Sequence, residues 1–305
     1  MSVVRKGQLL VLIMLVSACR PEAPPAPNST AVRAPTIRAV EPTNPWIATR
    51  TSENDEVSAE LPGGEAEDWQ FLPVIPFIGA HALDLYSYGQ VLGNRANAFT
   101  LIGDGEVATS WFLPDDCELG PYQALQAVMA FFQPSLQRRS VAARAGFNST
   151  RILDPAFRDP QRCLAEESPL ACELRLHQPA FALLSFGTNQ VWEPEVFETE
   201  LRIIIETLME AGVVPVLSTK GDNLEGDHRI NAIIARLAAE YDVPLWNFWA
   251  AIQGLPDDGL QADGEHLTWA HCDFSDPEVM THAWPVRNLT ALQVLDVLMR
   301  ATQME

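Results

Sequence analysis

The chain has few basic residues for its size. Its 305 residues include 20 lysines and arginines against 40 aspartates and glutamates, which gives a formal net charge of −20 at pH 7. A protein that binds nucleic acid needs a basic stripe to neutralise phosphates, and the sequence contains no such stripe. The composition therefore argues against a nucleic acid as partner and against extended contact with an anionic membrane surface. Net charge says little about the fold.

Apolar runs long enough for a permanent membrane helix are also missing. The run Leu9–Val16 follows a short basic region and is too short to span a bilayer, which is typical of an export signal. It ends in Val16-Ser17-Ala18-Cys19, which resembles a bacterial lipobox and implies lipidation of Cys19 after cleavage. An ordinary signal peptide with an incidental cysteine is the alternative. Both interpretations place the mature chain outside the cytoplasm, and the first attaches it to the membrane only through the lipid.

The residues after this signal lack the apolar periodicity of a folded domain. Residues 19–64 are rich in Pro, Ala, Ser, Thr and Glu, and such a composition buries too little surface to offset the entropy of ordering. We therefore predict a signal peptide at residues 1–18, a disordered tether at residues 19–64 and one folded domain at residues 65–305.

The five cysteines include no Cys-x-x-Cys spacing. This disfavours a metal site, and we expect neither a metal nor another cofactor. Apart from Cys19, four cysteines remain, and an oxidising compartment favours disulfides among them. Four cysteines allow three pairings. Cys163 and Cys172 are close in sequence and form the natural first pair, which leaves Cys117 for Cys272, but the sequence alone does not choose among the pairings.

Apolar runs alternate with helical patterns along the rest of the chain. Buried strands are predicted at Ala98–Ile102, Phe181–Phe186, Val213–Leu217 and Val243–Phe248. Helices are predicted at Pro121–Phe132, from Glu195 to near Gly212, at Asp227–Tyr241 and at Asn288–Met299. This alternation is typical of an α/β fold, a three-layer sandwich with a mainly parallel central sheet and helices on both faces. Ligands bind such sheets outside the carboxyl ends of the strands.

Four short motifs lie near these strand ends. They are Gly103-Asp104-Gly105, Ala145-Gly146-Phe147-Asn148, Gly187-Thr188-Asn189-Gln190 and Asp263-Gly264-Glu265-His266-Leu267. Each motif is weak alone, but their joint order and spacing resemble those of the SGNH (GDSL-type) hydrolases, a superfamily of esterases, lipases and carbohydrate acetylesterases. The resemblance implies the flavodoxin-like α/β fold of that superfamily.

The resemblance also implies a role for each motif. Gly105 stands where the family has its nucleophilic serine, so it keeps a backbone N–H for the oxyanion hole and lacks the hydroxyl. Gly146 and Asn189 match the two other oxyanion donors. His266 matches the general base, and Asp263 matches the carboxylate that orients it. An acyl-enzyme route needs a nucleophile within reach of that base, and glycine supplies none.

These assignments have structural alternatives. Gly146 is also compatible with a plain loop, Asn189 with a turn or helix cap, and His266 with a structural histidine. Thr109 and Ser110 follow the first motif by more than one helical turn, and we expect their hydroxyls to project elsewhere.

The resemblance carries two further implications. With the family's fold, Cys117 and Cys272 lie on the same face as the motifs, so a bridge between them would hold the histidine loop beside the loop of the first motif. Three tryptophans that follow the motifs are candidates for the wall of a cleft, although packing in the core is the commoner role. They are Trp111, Trp192 and Trp269.

Three functions remain open. The first is a hydrolase-like lipoprotein that binds an ester, such as an acylated envelope glycan or lipid, and hydrolyses it poorly or not at all because Gly105 replaces the serine. The second is an active esterase that uses a His266-activated water or a displaced hydroxyl. The third is a non-catalytic surface scaffold. Whether the chain is an enzyme or a pseudoenzyme is the question that Gly105 leaves open.

Overall fold

The computed structural model describes residues 68–136 and 138–303. The predicted signal peptide, the tether, Cys19 and the predicted start of the domain at residue 65 lie outside the described residues. In the described part of the chain, no helix combines the length and the apolar composition needed to cross a bilayer.

The core of the fold is a four-stranded parallel sheet whose strands lie in sequence order. The strands are β1 (Arg95–Gly103), β2 (Pro179–Ser185), β3 (Val214–Ser218) and β4 (Leu245–Trp246). Every residue of β2 and β3 is buried, as expected for central strands covered on both faces. The predicted α/β class and the parallel sheet are confirmed.

Helices connect and cover these strands. They are α1 (Ala80–Leu92), α2 (Gly105–Ala108), α3 (Gln126–Phe131), α4 (Gln133–Leu136), α5 (Ser149–Leu153), α6 (Pro169–His177), α7 (Pro194–Glu210), α8 (Arg229–Glu240), α9 (Phe248–Ile252) and α10 (Ala283–Gln303). Helix α1 contacts α10 and α7 contacts α8, and α1, α7 and α8 all contact β3. The predicted helix at Pro121–Phe132 is divided into a 3₁₀ helix, Gly120–Leu125, and α3.

The last strand is shorter than its apolar run predicts. The run Val243–Phe248 pairs with β3 only at Leu245 and Trp246. Asn247 then ends the strand, because its side chain accepts a hydrogen bond from Ala250 N at 3.4 Å and caps α9. The Asn247 amide also donates to Trp69 O at 2.9 Å, so the strand end is tied to the first described segment.

A disulfide between Cys163 and Cys172 closes a short loop, and its two Cα atoms are 5.3 Å apart. It confirms the pairing that their closeness in sequence favours. Cys172 is completely buried in α6, so the bridge attaches the preceding loop to a helix that contacts β1.

Candidate active site

The first motif is a tight turn from β1 into α2. Gly103 has φ +155°, and a Cβ there would lie 1.9 Å from the carbonyl oxygen of Ser185 on the neighbouring strand, so only glycine fits. Asp104 then caps α2, because its side chain accepts a hydrogen bond from Glu106 N at 3.1 Å. Gly105 is consequently the first residue of a helix, where backbone N–H groups have no acceptor inside the helix.

A cavity of about 600 Å³ opens at the carboxyl ends of β1 and β2. Gly105, Gly146, Asn189 and His266 all line it. The structure therefore brings together four residues that the sequence analysis selected from four separate segments. Asp263 is not in the cavity wall and lies behind His266.

The second and third motifs are tied to each other at the cavity wall. The Asn189 amide donates a hydrogen bond to Phe147 O at 3.2 Å. A primary amide carries two N–H bonds, so one of them remains to meet a ligand. Gly146 has φ +77°, a left-handed conformation that favours glycine. Gln190 accepts hydrogen bonds from Ser149 N at 3.2 Å and from Ser149 Oγ at 2.6 Å.

The fourth motif forms a histidine–carboxylate pair. His266 Nδ1 lies 2.8 Å from Asp263 Oδ2, and the other carboxylate oxygen accepts from the backbone N–H groups of Glu265 and His266 at 3.0 Å each. Those backbone bonds, with the imidazole bond, lower the pKa of Asp263 to about 2. The bond to Asp263 in turn raises the pKa of His266 above its usual value. The imidazole thus has a fixed orientation, with Nε2 as its second ring nitrogen.

A disulfide holds this histidine loop beside the loop that follows α2. Cys117 and Cys272 are bonded with Cα atoms 4.8 Å apart, across 155 residues of sequence. Two backbone hydrogen bonds flank the bridge, from Glu118 N to Cys272 O at 2.9 Å and from Phe274 N to Glu118 O at 2.8 Å. The predicted pairing is confirmed, and the bridge connects the two loops that it was expected to connect.

Sequence reasoning did not single out Glu106 and Arg287. Glu106 lines the cavity next to Gly105, and its Oε2 lies 3.4 Å from Nη2 of Arg287. Arg287 is completely buried on α10, with its guanidinium carbon 4.5 Å from the ring centroid of Phe248 and 5.0 Å from that of Trp246. A buried cation of this kind needs a carboxylate partner, and no sequence motif connects residues so far apart.

Two carboxyl groups share this buried cation. Asp104 is 4% exposed. Burial and the neighbouring charge of Glu106 raise its pKa to about 8. Burial also raises the pKa of Glu106, while the positive charge of Arg287 opposes that rise. Near neutral pH, Asp104 therefore keeps its proton, and Glu106 is the carboxyl group in contact with the guanidinium.

A buried ion cluster supports the third motif from behind. Lys220 Nζ lies 2.6 Å from Asp222 Oδ1 and 2.7 Å from Glu225 Oε2. The other oxygen of Asp222 accepts a 2.6 Å hydrogen bond from Thr188 Oγ1, and Thr188 is the residue before Asn189. Lys220 is one of two lysines in the sequence, and the other is Lys6. Because Thr188 is bonded to Asp222, the cluster fixes the loop that presents Asn189.

Aromatic side chains form part of the cavity wall. Trp111 and Trp269 line it and are 45% and 56% exposed, whereas Trp192 is 80% exposed and lies outside it. Trp284, which the sequence analysis missed, is a third tryptophan in the cavity wall. Flat, partly exposed rings suit the apolar faces of sugars or acyl groups.

Thr109 lies just beyond the first motif. Helix α2 ends at Ala108, and Thr109 follows it and lines the cavity. Its Oγ1 is buried and has no hydrogen-bond partner among the described residues. Ser110 is exposed and is not part of this cavity wall.

The structure is similar to solved structures of GDSL-type hydrolases. A psychrotrophic esterase from Pseudoalteromonas sp. has 17% identity over 66% of this chain and 97% of its own, with a TM-score of 0.41. A GDSL-like lipase from Bacteroides thetaiotaomicron has 11% identity over 70% and 98%, with a TM-score of 0.40. A catalytic mutant of an acetylxylan esterase from Geobacillus stearothermophilus has 15% identity over 66% and 95%, with a TM-score of 0.42.

No protein-family model and no curated protein matches the chain. At the identities of the solved structures, the similarity concerns the fold. The chemistry of the site therefore depends on this chain's own residues.

Proposed function

We propose that the chain binds an ester in this cavity and hydrolyses it poorly or not at all, because the position of the nucleophile is Gly105. The ester carbonyl oxygen would face the backbone N–H groups of Gly105 and Gly146 and the free N–H of Asn189. The observation that carries the proposal is that these three donors and His266 line one cavity. Donors in one cavity and an oriented base are the requirements of acyl transfer that remain here.

The ligand class that we propose is a small ester or an acylated glycan. Support comes from the partly exposed rings of Trp111 and Trp269 in the cavity wall. Oxyanion donors recognise the carbonyl group of an ester, and aromatic faces give sugars or acyl groups an apolar surface.

We also propose that the chain is exported and attached to the membrane through lipidated Cys19. The two disulfides of the folded part support an oxidising compartment. Labelling of growing cells with a fatty-acid probe tests the anchor: label on the wild type and none on Cys19→Ala supports it. An unlabelled wild type would favour an ordinary signal peptide.

The substitution Gly105→Ser tests the proposed function directly. A Cβ at position 105 would lie 3.9 Å from Ala145 Cα and 4.0 Å from Ala145 Cβ, which is ordinary contact, so the backbone accepts a side chain there. We expect aryl acetate hydrolysis to rise by about 10²-fold or more, since loss of the nucleophile from a catalytic triad costs more than that. A phosphonate ester should label Gly105→Ser at that residue.

The matched control is Gly105→Ala, which adds the Cβ without the hydroxyl and should give no gain. A folded Gly105→Ser protein that neither gains activity nor reacts with the phosphonate would contradict the proposal. The disulfides and the melting temperature confirm that the variant is folded.

An active esterase with a displaced hydroxyl is the second candidate, and the position of Thr109 in the cavity wall favours it. In that case the phosphonate labels the wild-type chain at Thr109, and Thr109→Val abolishes both labelling and activity. No residue of this cavity wall supports the third function, a non-catalytic surface scaffold.

A further inference from the structure

The cavity contains a carboxyl group immediately beside the position that lacks a hydroxyl. Glu106 follows Gly105 in α2, and both residues line the cavity together with His266. The Glu106 side chain is 18% exposed, so it is largely shielded from bulk water and still reaches the cavity. A partly desolvated carboxylate next to a bound ester has the position of a general base.

Arg287 holds Glu106 in place from behind. Its Nη2 lies 3.4 Å from Glu106 Oε2 and donates a 2.7 Å hydrogen bond to Ser185 Oγ. Nε and Nη1 of this buried guanidinium have no hydrogen-bond partner among the described residues. Glu106 is the carboxyl group in contact with this buried guanidinium, and the positive charge of Arg287 favours the ionised form of Glu106.

We propose that Glu106 is a catalytic residue, the base that removes a proton from a water molecule attacking the bound ester. The role would account for a carboxyl group held beside a position without a nucleophile. This inference rests on the proposed function, because it uses the same cavity and the same oxyanion donors. It differs from the serine route in that no acyl-enzyme forms.

The reaction balances with water as the only co-reactant. The water oxygen forms a bond to the acyl carbon while its proton passes to the Glu106 carboxylate, and the carbonyl oxygen becomes an oxyanion held by the donors. The acyl C–O bond to the alcohol then breaks, and the leaving alkoxide takes a proton from the His266 imidazolium. The products are the carboxylic acid and the alcohol, and both side chains regain their protonation states from solvent.

The charges around His266 suit the role of acid. The bond to Asp263 is the largest contribution that raises the pKa of the imidazole, and Glu265 and Glu106 add to it. Burial raises the pKa of Glu106, which makes its carboxylate a stronger base. Direct hydrolysis requires one base and one acid at the same ester, and Glu106 and His266 line the same cavity.

The dependence of the rate on pH distinguishes this route. With an alkyl acetate, whose leaving group needs a proton, the wild type should show a bell-shaped rate that falls as pH rises through the pKa of His266. The rate of Gly105→Ser should instead rise as pH rises through the pKa of His266, because the imidazole must be neutral to accept the proton of the serine. A wild-type rate that rises through that pKa would indicate a water activated by His266 and would overturn the proposal.

Substitutions at Glu106 give the second measurement. Glu106→Gln should lower the kcat of the wild type for the alkyl acetate by about 10²-fold or more, and Glu106→Asp should retain part of the activity and the bell shape. The control Asp227→Asn removes a half-exposed carboxylate outside the cavity wall and should change kcat by less than about 3-fold. Mass spectrometry of the wild type during turnover should detect no acyl adduct.

The failures are distinguishable. Suppose that Gly105→Ser gains activity, but the wild type hydrolyses nothing or Glu106→Gln is as active as the wild type. The role of Glu106 is then wrong, and the proposed function stands. If Gly105→Ser gains nothing, the proposed function fails. Should Glu106→Gln not fold, the wild-type pH profile and Glu106→Asp decide, and loss of the bell shape in a folded Glu106→Asp would contradict the role.

Discussion

Thr188 Oγ1 donates a 2.6 Å hydrogen bond to Asp222, and the same carboxylate forms a 2.6 Å ion pair with Lys220. The side chains of Lys220 and Asp222 are 2% and 0% exposed. The loop that carries Asn189 is therefore anchored to a buried charge cluster and not only to the strand before it. Its geometry depends on electrostatics that are shielded from solvent.

The substitution Lys220→Met should be strongly destabilising. It leaves the carboxylates of Asp222 and Glu225 buried without their cation, and removal of one partner of a buried pair costs about 3–5 kcal/mol. Chemical denaturation of the two proteins measures the loss. The control Arg229→Gln breaks an ion pair with Asp227 in which both side chains are about half exposed, and it should cost less than about 1 kcal/mol. Equal losses in the two variants would contradict the importance of the buried cluster.

Much of this fold is predictable from apolar patterning. The unbroken run at Phe181–Phe186 predicts a strand buried on both faces, and β2 covers this run as far as Ser185 with every residue buried. Helix α1 was missed, since its polar and apolar residues alternate without a clear helical face. The length of β4 depends on Asn247, whose hydrogen bond to the distant Trp69 is not visible in a local pattern.

The candidate site was predictable only in part, because one of its contacts also joins residues that are far apart in the sequence. Gly105, Gly146, Asn189 and His266 follow from motif order, and the structure brings all four to one cavity. The interaction between Glu106 and Arg287 joins the first motif to the last helix. Neither residue belongs to a motif that points to the other, so the pair emerges only when the chain is folded.

The substitution Asp263→Asn should lower the pKa of His266. The carboxylate accepts the Nδ1 hydrogen bond and favours the charged imidazole, and an amide provides no negative charge. NMR titration of the imidazole in the wild type and in Asp263→Asn measures the change. In the Gly105→Ser background, where the neutral imidazole is the base, the rising limb of the rate should move to lower pH. An unchanged imidazole pKa would show that Asp263 does not control His266.

Asp104 should make the stability of the protein depend on pH. Its pKa is about 8 in the folded chain and about 4 in an unfolded one, so the folded state binds more protons between these values and stability falls as pH rises from about 4 to 8. Asp104→Asn keeps an oxygen for the cap of α2 and cannot ionise. Denaturation at pH 5 and pH 8 should therefore show a smaller loss of stability in the variant. An equal loss in both proteins would place the responsible group elsewhere.

The Cys117–Cys272 bridge should matter for both stability and the site. It closes a loop of 155 residues, and the chain-entropy argument assigns such a loop about 5 kcal/mol. The double substitution Cys117→Ser with Cys272→Ser also frees the histidine loop from the loop after α2. In the Gly105→Ser background, we therefore expect this double substitution to lower esterase activity. The loss should be larger than the loss caused by Cys163→Ser with Cys172→Ser in the same background. That second pair closes a loop of 9 residues remote from the cavity wall. Activity per folded molecule, measured well below the melting temperature, separates the two effects. Equal activities in the two folded variants would show that the bridge stabilises the fold without positioning His266.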